Sequence, residues 1–542
     1  MNSIKLFVQR YSGLIFSAII LCVLIYIFYM ISISKTEGHF VYAIDDPYIH
    51  MDVAKNIVKY GVWGITKYGF TALSSSIIWP LLLAGAYKML GVNEILPLIM
   101  NVLSALALIT LIYCILRKYT SNQLILSVIL ISFILLVPVI PPIFTGLEHT
   151  FHAFLSVLFM YLSSVILCKN EIQLRNCKML FFTAPILMAT RYEAMFLIAI
   201  IAFFFVLRKQ WKIAVLLVVF SIIPIIIYGV ISVAKGWYFF PNSVLIKGNM
   251  PKVSSLISII SVFGRHAIAT TVKQSHLYVL MLISLLYLLC QIKRYPCIWR
   301  IDTIMMIIFI LVMLLHLQFA DTNWFTRYEL YFISMGFTVI AVFALQDIAN
   351  MNKPIWNITK IQQYIISCLI LVFLFIPFEE RGRLYLINIP KASSNIYCQQ
   401  IQMAKFIKQY FQGACVAIND IGAVNWFADI KCLDLYGLAN IEVANAKLKN
   451  NYSTAVIDSI SLINDTKIAI VYDSWYYLYG GLPRNWVKVG QWKVLNNVVC
   501  GSDVVTFYAI DPSYADYLTK SFFEFSQKLP PGADYFLFNG QK

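Results

Sequence analysis

Charge is what this chain has least of. Only 13% of its 542 residues are charged, about half the share of an average soluble domain, and just 26 are acidic. With 60% hydrophobic residues and a mean hydropathy of +0.76, that scarcity excludes an ordinary soluble enzyme, a disordered tail and a fibrous protein. No CxxC pair or His-rich spacing marks a zinc site. No nucleotide-type glycine fingerprint and no clear internal repeat are present. The first apolar run lacks a small-residue cleavage site, so it reads as a retained span and not a removed signal peptide. Eleven cysteines are present, four of them in the polar tail: Cys398, Cys415, Cys432 and Cys500. In an oxidising compartment these four permit up to two disulfides, and spacing leaves the pairing open.

What is there is a series of apolar runs, followed by a tail of soluble composition. Residues 1–378 hold 27 Lys+Arg against 12 Asp+Glu, whereas residues 379–542 hold 15 against 14. A spanning helix needs about 20 apolar residues. Eleven spans are expected, at 12–34, 95–116, 123–140, 150–168, 179–190, 193–207, 213–234, 276–292, 303–320, 328–346 and 361–378. The segment 76–91 is short and carries Pro80 and Lys88. Read as a juxtamembrane helix, it lets 15 Lys+Arg in short loops fall on one side, which the positive-inside rule makes cytoplasmic. The first loop (35–75) and the C-terminal domain (379–542) are then periplasmic. The basic excess reports orientation and needs no nucleic-acid partner. In the tail, 391–410 reads as an amphipathic helix. CVAIND, KCLDL, KIAIVYD, WVKVGQW and VVTFYAI read as strands, so a small α/β domain is expected.

The unusual chemistry falls on the outer face. The first loop carries Asp45 and Asp46, then Pro47, Tyr48 and His50. Asp46 as N-cap with Pro47 at the first helical position explains one carboxylate and leaves Asp45 free. Ile49, Val53 and Ile57 recur at helical spacing, a face expected to lie in the lipid headgroups. Glu148 and His149 stand where the chain re-enters the membrane, a costly place without partners. Arg191 and Glu193 separate two short spans, either as a mutual ion pair or as an anion site. Asn242 and Lys247 follow an aromatic loop, with Lys247 either a surface lysine or a phosphate ligand. Arg327 opens a span, where it either snorkels or binds phosphate bidentately. Asp420, Asp434 and Asp473 lie near strand ends and read as turn or cap residues. Together the outer face offers carboxylates and cations, the set needed to deprotonate a hydroxyl beside an anionic lipid.

The stretches DDPYIHMDVAKNIVKYG, TGLEHTFHAFL, ATRYEA, FPNSVLIKG, the Arg-Tyr at 327–328 and NDIGAVNWFADIKCLDLYGLAN resemble, in that order, bacterial arabinofuranosyltransferase-like proteins of the GT-C class of membrane glycosyltransferases. That group includes mycobacterial terminal arabinofuranosyltransferases and pilin-modifying enzymes. The resemblance implies a GT-C-like polytopic fold and a polyprenyl-phosphate-sugar donor, with a pentose such as arabinofuranose as the sugar expected. It implies transfer to a glycan or protein hydroxyl on the periplasmic face of the inner membrane, with inversion. It maps the general base onto Asp45 or Asp46. Because Asp46 has a capping role, Asp45 is assigned as base and Asp46 as the residue fixing the loop. Arg327, Lys247 and Arg191 are candidates for the donor phosphate. Glu148, His149, Tyr48, His50, Asn242 and Glu193 are candidates for the substrate pocket. No metal is required if Arg and Lys carry the phosphate charge, with a divalent cation as the alternative. A lipid-linked glycan transporter, or an oligosaccharide ligase or polymerase, is the competing function.

Overall fold

The structure is a computed structural model that describes residues 2–169, 171–247, 274–295, 297–322, 324–350 and 358–538. In chain order the apolar part forms α1 (Asn2–Ser34), α2 (Asp46–Tyr60), α3 (Ile78–Leu90), α4 (Leu96–Leu116), α5 (Gln123–Leu136), α6 (Ile140–Phe144), α7 (His149–Leu167), α8 (Lys178–Thr190), α9 (Ala194–Leu207), α10 (Trp211–Ala234), α11 (Asn242–Lys247), α12 (Ser275–Arg294), α13 (Ile301–Phe319), α14 (Leu330–Asn350) and α15 (Ile358–Ile396). By length and composition α1, α4, α7, α10, α12 and α13 are long and apolar enough to cross a membrane. Helix α1, with 33 residues, exceeds the roughly 20 needed. The chain is a multi-pass membrane protein.

Two helix breaks shape the site. Helix α5 stops at Leu136, where Val137 turns extended, and the chain restarts as α6 with prolines in its first turn, where a missing N–H costs nothing. Between α8 and α9 the backbone leaves the helix at Arg191 (φ −158°, ψ 145°). The side chain there enters the buried interior.

Helix α2 differs from expectation in two ways. It begins at Asp46 with Asp45 at the N-cap position, and the Asp45 side chain makes no cap hydrogen bond. Both carboxylates are engaged by distant partners instead, as shown below. The Ile49, Val53 and Ile57 face does not lie against headgroups. It packs with Met403, Phe406 and Val424 of the C-terminal domain, which supplies the apolar cover this face needs. Helix α3 buries Trp79, Leu83 and Tyr87 at helical spacing and packs on α2.

Helix α15 passes residue 378 without interruption and leads through a π-helical turn (Tyr397–Ile401) into α16 (Gln402–Tyr410). The chain then alternates β1 (Cys415–Ile418), α17 (Gly422–Phe427), β2 (Lys431–Asp434), α18 (Ile441–Leu448), α19 (Thr454–Ile463) and β3 (Ile468–Val471). It ends with β4 (Val487–Val494), β5 (Val504–Ala509), α20 (Ala515–Ser526) and β6 (Ala533–Leu537). The five expected strands all form, and β6 is additional. One six-stranded sheet has the order β2-β1-β3-β5-β4-β6, parallel through β2, β1 and β3 and antiparallel beyond. Phe406 packs edge-on against Trp492, Phe507 and Phe525 at centroid distances of 5.8, 5.3 and 5.6 Å, which builds the core of one sheet face. None of Cys398, Cys415, Cys432 and Cys500 is in a disulfide.

Candidate active site

A cavity of about 470 Å³ lies where the helical unit meets the C-terminal domain. Asp45, Asp46, Asp321, Arg327 and Tyr328 form one wall, and Gln400, Asp420, Trp475 and Gly501 belong to the other. This is the volume of a small-molecule site.

The two aspartates are neighbours in sequence with different partners. The Asp45 carboxylate accepts the backbone N–H of Gly422 and that of Ala423, one on each oxygen, both at 2.7 Å. A residue of the first loop thereby holds the C-terminal domain across 377 positions. Burial, and after it the charge of Asp420, push the Asp45 carboxyl well above the usual carboxylate range, with the two N–H bonds acting against that rise. Asp46 instead accepts from Arg327 Nη1 at 2.7 Å.

Arg327 is aimed by an unusual turn. Trp324, Phe325 and Thr326 precede it with φ of 52°, 57° and 60°, a left-handed run without glycine. Each such residue costs about 1–2 kcal/mol, so the surroundings must hold the turn. Thr326 donates to the Pro138 carbonyl at 3.1 Å, and Phe325 packs on Tyr385 of α15. Two residues on from Arg327, Glu329 is ion-paired with Arg381 of α15 and lies 3.7 Å from His276. The Arg327 Nη2 donates to the Tyr328 hydroxyl at 2.8 Å. Its Nε is buried and has no partner among the described residues.

Behind Tyr328 lies a second charged cluster. Arg191 donates to Glu148 at 2.8 Å and to Glu193 at 2.6 and 3.2 Å. Its Nη1 also lies 3.4 Å from His149 Nε2. Both cations pack on the Tyr328 ring, with Arg327 4.8 Å and Arg191 5.3 Å from its centroid. So Arg191, Glu148, His149 and Glu193 come together as a buried ion network one ring away from the cavity. Tyr48 is buried and accepts the Tyr42 N–H, His50 faces Ser74, and Asn242 donates to the Gly437 carbonyl. These three tie loops together and are not in the cavity wall. Lys247 ends α11, and its side chain lies outside the described residues.

The wall contributed by the C-terminal domain is the part that sequence reasoning missed. Asp434 does hold a turn, through the N–H groups of Tyr436 and Ala439, and Asp473 pairs with Lys488. Asp420 is different: it accepts from Gln400 Nε2 and from the Tyr472 hydroxyl, both at 2.8 Å, and lines the cavity. A usable signal existed, since Asp420 follows the carboxyl end of a predicted strand in an α/β pattern, where ligands bind.

Gly422 makes the junction possible. A Cβ there would fall on the Asp45 carbonyl and carboxylate, both held from behind by α2. Gly422→Ala is therefore expected to spring the Asp45 clamp at a cost of about 1–3 kcal/mol. A lower thermal midpoint and faster proteolytic release of the C-terminal domain would register it. Unchanged values would show that the junction has slack.

The chain is similar in fold to ArnT from Cupriavidus metallidurans, in a crystal structure bound to undecaprenyl phosphate. The two share a TM-score of 0.50 over 93% of this chain and 99% of that one, at 10% sequence identity. The architecture is thus a GT-C-like helical membrane unit with a small C-terminal sheet domain. A domain of unknown function, DUF8728, matches residues 394–508, which spans the Gln400, Asp420 and Trp475 wall. No curated protein matches the chain.

Proposed function

We propose that this protein is a membrane glycosyltransferase that moves a sugar from a polyprenyl-phosphate donor to an acceptor hydroxyl, on the periplasmic face of the inner membrane. The observation that carries the reading is the joint placement of Asp45, Asp46 and Arg327 in one cavity. The fold shared with a protein that binds undecaprenyl phosphate supports the lipid donor.

In this reading Asp45 is the general base. Its basicity is raised above that of an ordinary carboxylate, and its two N–H bonds leave lone pairs for an acceptor O–H. The acceptor oxygen loses its proton to Asp45 and attacks the anomeric carbon. The bond from that carbon to the phosphate oxygen breaks, and polyprenyl phosphate leaves with the electron pair. One displacement inverts the anomeric centre. Arg327, which lines the cavity with Asp46 fixing its Nη1, stabilises the departing phosphate. A pentose such as arabinofuranose is the donor sugar proposed, on the sequence resemblance.

Purified full-length protein in nanodiscs, incubated with synthetic polyprenyl-phosphate pentoses and hexoses, should release free polyprenyl phosphate from at least one of them. No release from any would sink the proposal and favour a lipid-glycan transporter.

A further inference from the structure

The C-terminal domain does more than cover the cavity. Its parallel strands run β2-β1-β3, so the chain leaves β1 toward one side for β2 and returns across it for β3. The strand order reverses at the gap between β1 and β3. In open α/β sheets that gap, at the carboxyl ends of the strands, is where ligands bind. Asp420 lies two residues beyond β1, and Tyr472 directly follows β3 with Trp475 three residues further on. Asp420 and Trp475 both line the cavity shared with the membrane unit. The crevice of the sheet therefore opens onto Asp45 and Arg327.

The chemistry there differs from that of the opposite wall. Among the cavity-lining residues of the C-terminal domain none is a cation. Its carboxylate is pre-positioned: Gln400 donates to Asp420 Oδ2, and the single Tyr472 hydroxyl proton lies within reach of both Asp420 Oδ2 and Gln399 Oε1. Trp475 is held edge-on by Tyr472 and Tyr436, at centroid distances of 5.2 and 5.3 Å, and its indole N–H donates to the Gly501 carbonyl at 3.3 Å. A fixed carboxylate that accepts from hydroxyls, beside a rigid indole that covers an apolar ring face, suits a polyol ring and not a phosphate. The residues that suit an extended peptide are absent from this wall: the site is a cavity, not a strand edge that could add a strand.

We propose that the crevice between β1 and β3, with Asp420 and Trp475 as its recognition residues, is the acceptor subsite, and that the acceptor is a saccharide. The proposal rests on the glycosyltransferase reading given above. It adds the class of acceptor and assigns the C-terminal domain a direct part in binding it.

Two measurements separate the fate of this inference from that of the underlying reading. The first is ligand-observed saturation-transfer NMR on the full-length protein in nanodiscs, which needs no turnover. The probes are methyl hexosides and methyl pentosides, with a Ser/Thr-rich peptide as competitor class. Ring protons of at least one glycoside should show transfer, and Trp475→Ala and Asp420→Asn should each abolish it, while Trp475→Phe keeps a part. Absence of transfer in the native protein, transfer unchanged in the variants, or transfer to the peptide alone would each overturn the inference. The second is steady-state kinetics with the donor found to turn over. Trp475→Ala should raise the acceptor KM about tenfold or more without moving the donor KM. A mere folding defect would move both constants and the thermal midpoint. An unmoved acceptor KM would overturn the inference while leaving the transferase reading intact. No turnover of any donor by the native protein would overturn that reading, and the NMR outcome would then decide the subsite alone.

Discussion

Asp45→Asn should lower transfer by about 10²–10⁴-fold at neutral pH, the range a positioned general base contributes. The substitution removes the carboxylate assigned as base, and it also turns an acceptor oxygen into an N–H donor opposite a backbone N–H. Two readouts separate these losses. The pH profile is the first. Because burial and Asp420 raise the Asp45 pKa, the carboxyl must lose its proton before it works, and activity should fall as pH drops through that raised value. The acidic limb therefore lies above the range of an ordinary carboxylate. In Asp45→Asn the limb should vanish, leaving a low and flat residual rate. The second readout is donor affinity, which a lost base leaves in place and a displaced domain does not. Asp46→Asn is the control: Asp46 sits on Arg327, so its loss should weaken donor binding yet preserve the limb. Near-native transfer by Asp45→Asn, with the limb lost in Asp46→Asn, would move the base to Asp46.

The helices were legible because removal from water leaves a one-dimensional signature. Each apolar run of roughly spanning length corresponds to a helix, and boundaries moved chiefly where a local rule intervened, as at Val137 or at Arg191. The strands of the C-terminal domain were legible for the same reason, their apolar alternation being bounded by turns. Strand β6 was not, because its middle residues Asp534, Tyr535 and Phe536 stay exposed and obscure the pattern. The carboxylate pair, Arg327 and the Arg191 cluster were visible as polar residues in places that burial makes expensive. Their partners were not. Asp45 meets Gly422 and Ala423 through backbone N–H groups, which every residue but proline carries, so no composition signal marks them. The turn before Arg327 uses Trp324, Phe325 and Thr326 with positive φ, and without glycine it has no sequence signature. The apolar face of α2 was expected to lie in the lipid headgroups, and only the fold could show that a domain covers it instead.

Arg327→Ala should reduce kcat/KM for the donor by about 10²–10³-fold, the loss seen when one preorganised charge-stabilising donor is removed. The contrast with Arg191 gives this prediction its content, because the two guanidiniums both pack on the Tyr328 ring. Arg191 is matched by Glu148 and Glu193 and has no excess charge to offer a phosphate. Among the described residues Arg327 is ion-paired with Asp46 only and keeps Nε without a partner, and it lines the cavity. Removing Arg191 strands two buried carboxylates, at a cost of roughly 3–5 kcal/mol in stability. Arg191→Gln should therefore drop the thermal midpoint steeply, and protein that remains folded should still bind polyprenyl phosphate. Arg327→Ala should show the reverse, a small change in midpoint with loss of the lipid phosphate measured by native mass spectrometry. Arg327→Lys should recover only part of the affinity, since an ammonium is a point charge that cannot serve Asp46, the Tyr328 hydroxyl and a phosphate from one planar fork. Undiminished lipid binding by Arg327→Ala, with binding lost in folded Arg191→Gln, would place the phosphate at Arg191 and move the reacting centre with it.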